Sequence, residues 1–331
     1  MQFTRSKAKT LLRWAVWLAL LTPLAAFAAE PDRLQVAASI KPVQALVAGV
    51  MQGVGEPALL VPGGASPHDY SLKPSDARTL GQARAIFWIG PDLESFLVKP
   101  LANAESTVRS VILMDAPGVT VLPLREGGAW EPHRQHHEYG PEAKDDSAEP
   151  ALDAEHDHAT GRDAHLWLDP VNAAAMVRRI VAVLSEVDPA HQADYARNGV
   201  ALTERLDRLN RQLAVELEPV RQQPYIVFHD AYQYFERRYA LNAAGSVVLN
   251  PEQRPGAKRV AEIRDRIRDR NVRCVFSEPQ FQPTLVETII AGSRARRGVL
   301  DPLGAELPAG SEAYFTLLQD LARSLRRCLS D

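Results

Sequence analysis

Short apolar runs alternate with amphipathic stretches along most of this chain. Leu34–Ser39, Pro57–Val61, Ala85–Ile89 and Val108–Leu113 read as strands. Pro42–Met51, Ala77–Ala83 (with Ser75 as its cap) and Leu93–Leu101 carry helical apolar spacing between them. After a long polar interruption the rhythm resumes, with His165–Leu168 short and extended and Val171–Val187 an amphipathic helix closed by Asp188-Pro189. From Ala190 to about Leu217 the residues Val200, Leu202, Leu206, Leu209, Leu213 and Leu217 recur near helical spacing, which predicts a helix ~40 Å long at about 1.5 Å per residue. Strands over Tyr225–Phe228, Val272–Phe276 and Gly298–Leu300 then alternate with helices over Tyr232–Tyr239, Ala257–Arg270, Leu285–Ala291 and Tyr314–Leu329. Such alternation predicts βα units and mostly parallel sheets. The expected fold is α/β, with two lobes over 30–188 and 220–331, each a mostly parallel sheet flanked by helices. One long rigid helix over 189–219 would join them, and a cleft between the lobes would hold any site.

Two segments depart from that rhythm. At the N-terminus Arg5, Lys7, Lys9 and Arg13 precede the apolar run Trp14–Leu21, Pro23 and the small residues Ala25–Ala29. This predicts a cleavable secretory signal peptide over 1–29 and an exported, periplasmic protein. A membrane anchor is the weaker alternative, because the apolar run is short for a span. The second departure, 125–163, is a polar tract with no apolar periodicity and eleven acids from Glu126 to Asp163. It carries His133, His136, His137, His156 and His158, and a His-rich, acid-rich composition signals metal binding. These five are expected to form a secondary, weak metal-collecting loop. A merely solvated insertion is the plainer alternative.

Composition narrows the class. A chain of 331 residues, 46 % hydrophobic and 24 % charged, has enough apolar surface for one or two cored domains. Loss of the four positive charges in 1–29 would move the formal net charge from −3 to about −7, which argues against nucleic acid as a partner. Cys274 and Cys328 are the only cysteines, and in an oxidising compartment an even pair is most simply a disulfide. Two unpaired buried thiols remain the alternative.

The histidines outside the polar tract fall at telling places. His68 follows the Pro57–Val61 strand, His165 opens HLWLDP, and His229 ends the Tyr225–Phe228 strand, while Asp301 ends another. Ligands of open α/β sheets bind at the carboxyl ends of strands. Three imidazoles plus a carboxylate or water form a tetrahedral set that suits Zn²⁺, whereas Mn²⁺ would want more oxygen. Taken singly, a lone histidine is more often a satisfied polar residue, and Asp169-Pro170 and Asp301-Pro302 are more often helix caps. Glu278, before Pro279, is expected to have a supporting or structural role. A three-histidine zinc hydrolase would need a base for bound water, and no HExxH is present.

In order along the chain, VPGGASPHDYSLKPSD, HLWLDP, YIVFHDAYQYFE, NPEQRPGAKR, FSEPQFQP and GVLDPLG resemble the zinc-binding component of bacterial zinc ABC transporters. The resemblance spans about Leu34 to Cys328. It implies capture of Zn²⁺ for an inner-membrane permease and its ATPase by a monomeric, non-enzymatic periplasmic protein. On the family pattern His68, His165 and His229 match the metal-binding histidines. Manganese-selective relatives carry a carboxylate where His229 stands, so His229 favours zinc over manganese or another divalent metal. Asp301 matches a ligand of those relatives. Pro67 stands where some zinc members have Glu, which leaves Asp301 or water as the fourth ligand. The family also implies a His-rich loop of variable length and a C-terminal disulfide that Cys274 and Cys328 would match. A periplasmic metallochaperone or adhesin-like metal binder without a permease is the remaining rival.

Overall fold

The computed structural model describes residues 34–104, 108–125, 130, 161–248, 251, 255–282 and 284–330. The segment 1–29 and the histidines at 133, 136, 137, 156 and 158 lie outside the described residues. Among the described residues no helix is long and apolar enough to cross a membrane.

The N-terminal lobe is built from β1 (Val36–Ala38), α1 (Lys41–Val50), β2 (Ala58–Leu59), α2 (Pro74–Gln82), β3 (Ala85–Trp88), α3 (Ser95–Ala102), β4 (Arg109–Ile112) and α4 (Pro170–Val187). After α5 (Gln192–Leu217) the C-terminal lobe follows with β5 (Tyr225–His229), α6 (Gln233–Tyr239), β6 (Ala243–Val248), α7 (Ala257–Asp269), β7 (Cys274–Ser277), α8 (Thr284–Ile290), β8 (Arg296–Val299) and α9 (Ala313–Leu329). Each lobe holds a parallel four-stranded sheet, ordered β2-β1-β3-β4 in one and β6-β5-β7-β8 in the other. The two orders are the same path drawn twice, an architectural repeat with no residue-level counterpart in the chain.

The strands that carry the sheets are short and buried on both faces (Ala85–Trp88, Tyr225–His229 and Cys274–Ser277 throughout), as parallel strands covered by helices must be. Helix α5 buries one stripe, Tyr195, Gly199, Leu202, Leu206, Leu209, Leu213 and Leu217, and leaves the rest polar. That stripe meets α1 and α4 of the first lobe and α9 of the second. Gly199 permits the close approach to α4, since a Cβ there would run into Val181. One continuous apolar cluster therefore includes Phe87, Trp167, Leu206, Tyr225 and Leu325, so the lobes share a core and do not hang freely from the helix. Cys274 and Cys328 are joined in a disulfide that ties β7 to α9.

Three local expectations need correction. His165–Leu168 is not extended: Leu166–Leu168 is a 3₁₀ turn, fully buried, that leads into α4, where Asp169 accepts a hydrogen bond from the Val171 N–H. A three-residue apolar run cannot distinguish the two conformations by periodicity. Ser75 does not cap α2, because Pro74 takes the first helical position and Asp76 accepts from the Lys73 N–H at 2.9 Å instead. Strand β6 has no counterpart among the expected elements. Its Ala243-Ala244-Gly245-Ser246 start offers no alternation, and Gly245 takes φ 150° beside a register shift in β5.

Candidate metal centre

The three histidines expected in the cleft come together, although only His229 sits at a strand end. His68 lies in the loop after β2, His165 in the connection after β4, and His229 is the last residue of β5. Their ligand atoms lie within 4.8 Å of one another, and this is the one such group of His, Cys, Asp or Glu among the described residues. Ring centroids are separated by 5.2 Å for His165–His229, 5.3 Å for His68–His165 and 5.7 Å for His68–His229. The Nε2 atoms of His165 and His229 are 3.3 Å apart. Two nitrogens bound at about 2.05 Å with a tetrahedral angle would stand ~3.3 Å apart, so this pair already has the bite of a zinc ion.

Two carboxylates aim that pair. Asp163 Oδ1 lies 2.8 Å from His165 Nδ1, and Glu278 Oε1 lies 2.8 Å from His229 Nδ1. Each also accepts the backbone N–H of its histidine, at 3.0 Å and 3.3 Å. A carboxylate at Nδ1 fixes the tautomer, turns Nε2 inward and raises ligand basicity. Electrostatics differ around the cluster. Burial, and then the two neighbouring imidazoles, hold His68 well below the ordinary histidine range. At His229 burial pulls downward, but Glu278, followed by Asp230 and Asp163, carries the imidazole above that range. Pro67, Trp167, Phe281, Pro302 and Leu303 wall the space in front of the rings. The free volume is about 10 Å³, on the order of one water or one ion.

Asp301 is not brought to the imidazoles. Its carboxylate accepts the N–H groups of Leu303, Gly304 and Ala305 at 3.0, 2.9 and 2.6 Å, and Gln280 Nε2 at 3.0 Å. It organises the loop it starts and caps no helix. Asp163, counted above among the acids of the polar tract, is buried and belongs to the centre through His165. Its position two residues before a histidine was the available signal, masked by the acids around it. The described edges of the tract are also pinned: Arg125 pairs with Asp230 and Glu236, and Arg162 with Asp92 and Asp115. Leu124 N–H donates to Gly161 at 2.7 Å, closing the two edges together.

Removing either carboxylate tests its role in aiming. Asp163→Asn and Glu278→Gln are each expected to weaken zinc binding about 10- to 100-fold, the usual range for groups behind a metal ligand. Competition titration against a chromogenic chelator would read this, and unchanged affinity in both variants would remove the carboxylates from the centre.

The comparisons with known proteins converge. The family described as "Zinc-uptake complex component A periplasmic" matches residues 36–328. The high-affinity zinc uptake system protein ZnuA of Brucella suis is 47 % identical over 313 residues, covering 90 % of this chain and 92 % of the relative. The Yersinia pestis protein of the same name is 34 % identical over 309 residues, covering 91 % and 94 %. A crystal structure of ZnuA superposes with a TM-score of 0.72 at 27 % identity, covering 90 % of this chain and all of that one. A zinc-bound ZnuA structure lacking that protein's residues 138–173 superposes with a TM-score of 0.71 at 27 % identity, covering 91 % and 99 %.

Proposed function

The chain belongs to the periplasmic zinc-uptake complex component A family, and from that premise we propose that it captures Zn²⁺ through His68, His165 and His229 and hands it to an ABC permease driven by its ATPase. The observation that carries the reading is the inward-facing imidazole cluster with carboxylates behind two of its three rings. Capture needs neutral imidazoles, and zinc displaces whatever protons they hold. Asp163 and Glu278 would offset part of the ion's charge and keep the pair aimed while the site is empty. With the Asp301 oxygens engaged by four N–H donors, water is the proposed fourth ligand. Nitrogen-rich donors at this position favour zinc over the harder Mn²⁺.

Binding and release are the proposed extent of the chemistry. Hydrolysis would need a carboxylate free to take a proton from zinc-bound water. Asp163 and Glu278 each give an oxygen to a ligand imidazole, and Asp301 is held by the backbone. We further propose that residues 1–29 direct export and are cleaved, that the lobes are 30–188 and 220–331 about the 189–219 helix, and that the protein acts as a monomer. The shared core favours capture with small loop adjustments over a wide hinge motion.

The histidines at 133, 136, 137, 156 and 158 are proposed as weak auxiliary ligands. Calorimetry on a chain lacking residues 128–160 is expected to retain one tight zinc site, with only weak additional binding lost. Loss of all tight binding in the deletion would place the primary site in the tract and overturn the assignment.

A further inference from the structure

The three imidazoles are not held equally. His165 and His229 are buried and carry a carboxylate at Nδ1, whereas His68 is half-buried. Among the described residues no carboxylate stands behind the His68 ring, whose ring neighbours are the other two imidazoles, and the His68 backbone N–H donates to Ser66 Oγ at 3.3 Å. What places His68 is therefore its loop, and that loop leans on the other lobe. At Gly63 the backbone passes so close that a Cβ would run into the carbonyl oxygen of Ala305, with Lys41 Nζ also beside it.

Lys41 is the first residue of α1 and is buried. Its ammonium donates to the carbonyl oxygens of Gly304, Ala305 and Leu307 at 2.7, 2.8 and 2.6 Å, which uses all three of its protons. The same short segment has its N–H groups taken by the Asp301 carboxylate. One cation from the first lobe and one anion from the second thus grip opposite polar edges of residues 303–307. Pro302 and Leu303, which begin that segment, wall the metal cavity beside Pro67 and His68.

We propose that Lys41 is the positioning residue for His68: by latching 304–307 it supplies the surface on which the 62–68 loop rests, and so brings the third imidazole to the other two. This rests on the zinc-site reading above. Without the ammonium one buried and two part-buried carbonyls lose their donor, the segment relaxes, and the Gly63 contact that seats the loop is lost.

A double-mutant cycle separates this role from general stabilisation, because coupled residues are not additive whereas independent ones are. Zinc affinity is measured by chelator competition for Lys41→Met, His68→Ala and the pair together. Lys41→Met is expected to weaken binding about 10-fold or more in the parent chain and less than about 2-fold in the His68→Ala chain, with Lys41→Arg recovering part of the loss. Equal losses in both backgrounds, or parent affinity in a folded Lys41→Met chain, would overturn the proposal. Should Lys41→Met fail to fold, Gly63→Ala perturbs the same contact from the loop side and must show the same dependence on His68. If His68→Ala alone leaves affinity unchanged, the zinc-site reading itself falls, which is a distinguishable result.

Discussion

Zinc binding is expected to collapse by several orders of magnitude when His229 is replaced by alanine. Three effects act together. One of three imidazoles disappears, the 3.3 Å nitrogen pair with His165 is broken, and Glu278 loses the ring that occupied its Oε1. A buried carboxylate left without its partner costs on the order of 1–3 kcal/mol, so the metal-free variant should also melt earlier. The sharper reading is the zinc-induced shift in melting. A ligand that binds only the folded state stabilises it by RT ln(1 + [L]/Kd), so a shift present in the parent chain should vanish in His229→Ala at the same zinc concentration. His191→Ala is the matched control, because His191 is exposed at the start of α5 and bonds Asp188 at 2.7 Å, away from the cluster. Parent-like affinity in His229→Ala would end the three-histidine assignment.

The second large effect concerns stability. Cys274 and Cys328 close a loop with a sequence separation of 54, linking β7 to the last turn of α9. On the chain-entropy account a bridge of that span contributes about 4 kcal/mol by restricting the unfolded chain. Replacing both cysteines by alanine is expected to lower the melting temperature by about 6 °C, taking an unfolding entropy of about 2.1 cal/mol/K per residue over roughly 300 residues. Both sulfurs sit in buried surroundings, Cys274 fully so, so the alanines also give up some packing. Zinc affinity well below the transition should change little, because the bridge joins β7 at its first residue while Glu278 follows its last. A melting temperature within a degree or two of the parent would show that packing of α9 alone holds the C-terminal lobe.

Much of this architecture was legible before any coordinates. The helical stripe from Leu202 to Leu217 is a local property, since residues three and four apart share a face wherever that helix lies. The same holds for α1, α4, α7 and α9, whose ends fall close to the apolar spacing that announced them. Strand β6 was not legible, because a strand of Ala, Gly and Ser is specified by its neighbour β5 and not by its own pattern. The 3₁₀ turn at Leu166–Leu168 was illegible for a related reason: three apolar residues, all buried, show no alternation by which a strand and a 3₁₀ turn could be told apart.

For the metal centre the division is sharper. Residue type and placement after or at a strand pointed to His68 and His229, the opening of HLWLDP pointed to His165, and family resemblance made them a candidate set. That much follows from the chain alone, because a parallel strand delivers its next residues to a known edge of the sheet. Convergence is another matter. His165 and His229 are separated by 64 positions, and only the packing of two lobes about α5 brings their Nε2 atoms to 3.3 Å. The folded chain alone decided that Asp163 serves His165 rather than the polar tract, and that Asp301 turns its oxygens to backbone amides. It also decided that Lys41 reaches across to Gly304, Ala305 and Leu307. Periodicity encodes which face a residue takes on its own element. It does not encode distances between elements, because those depend on how distant side chains fill the space between them.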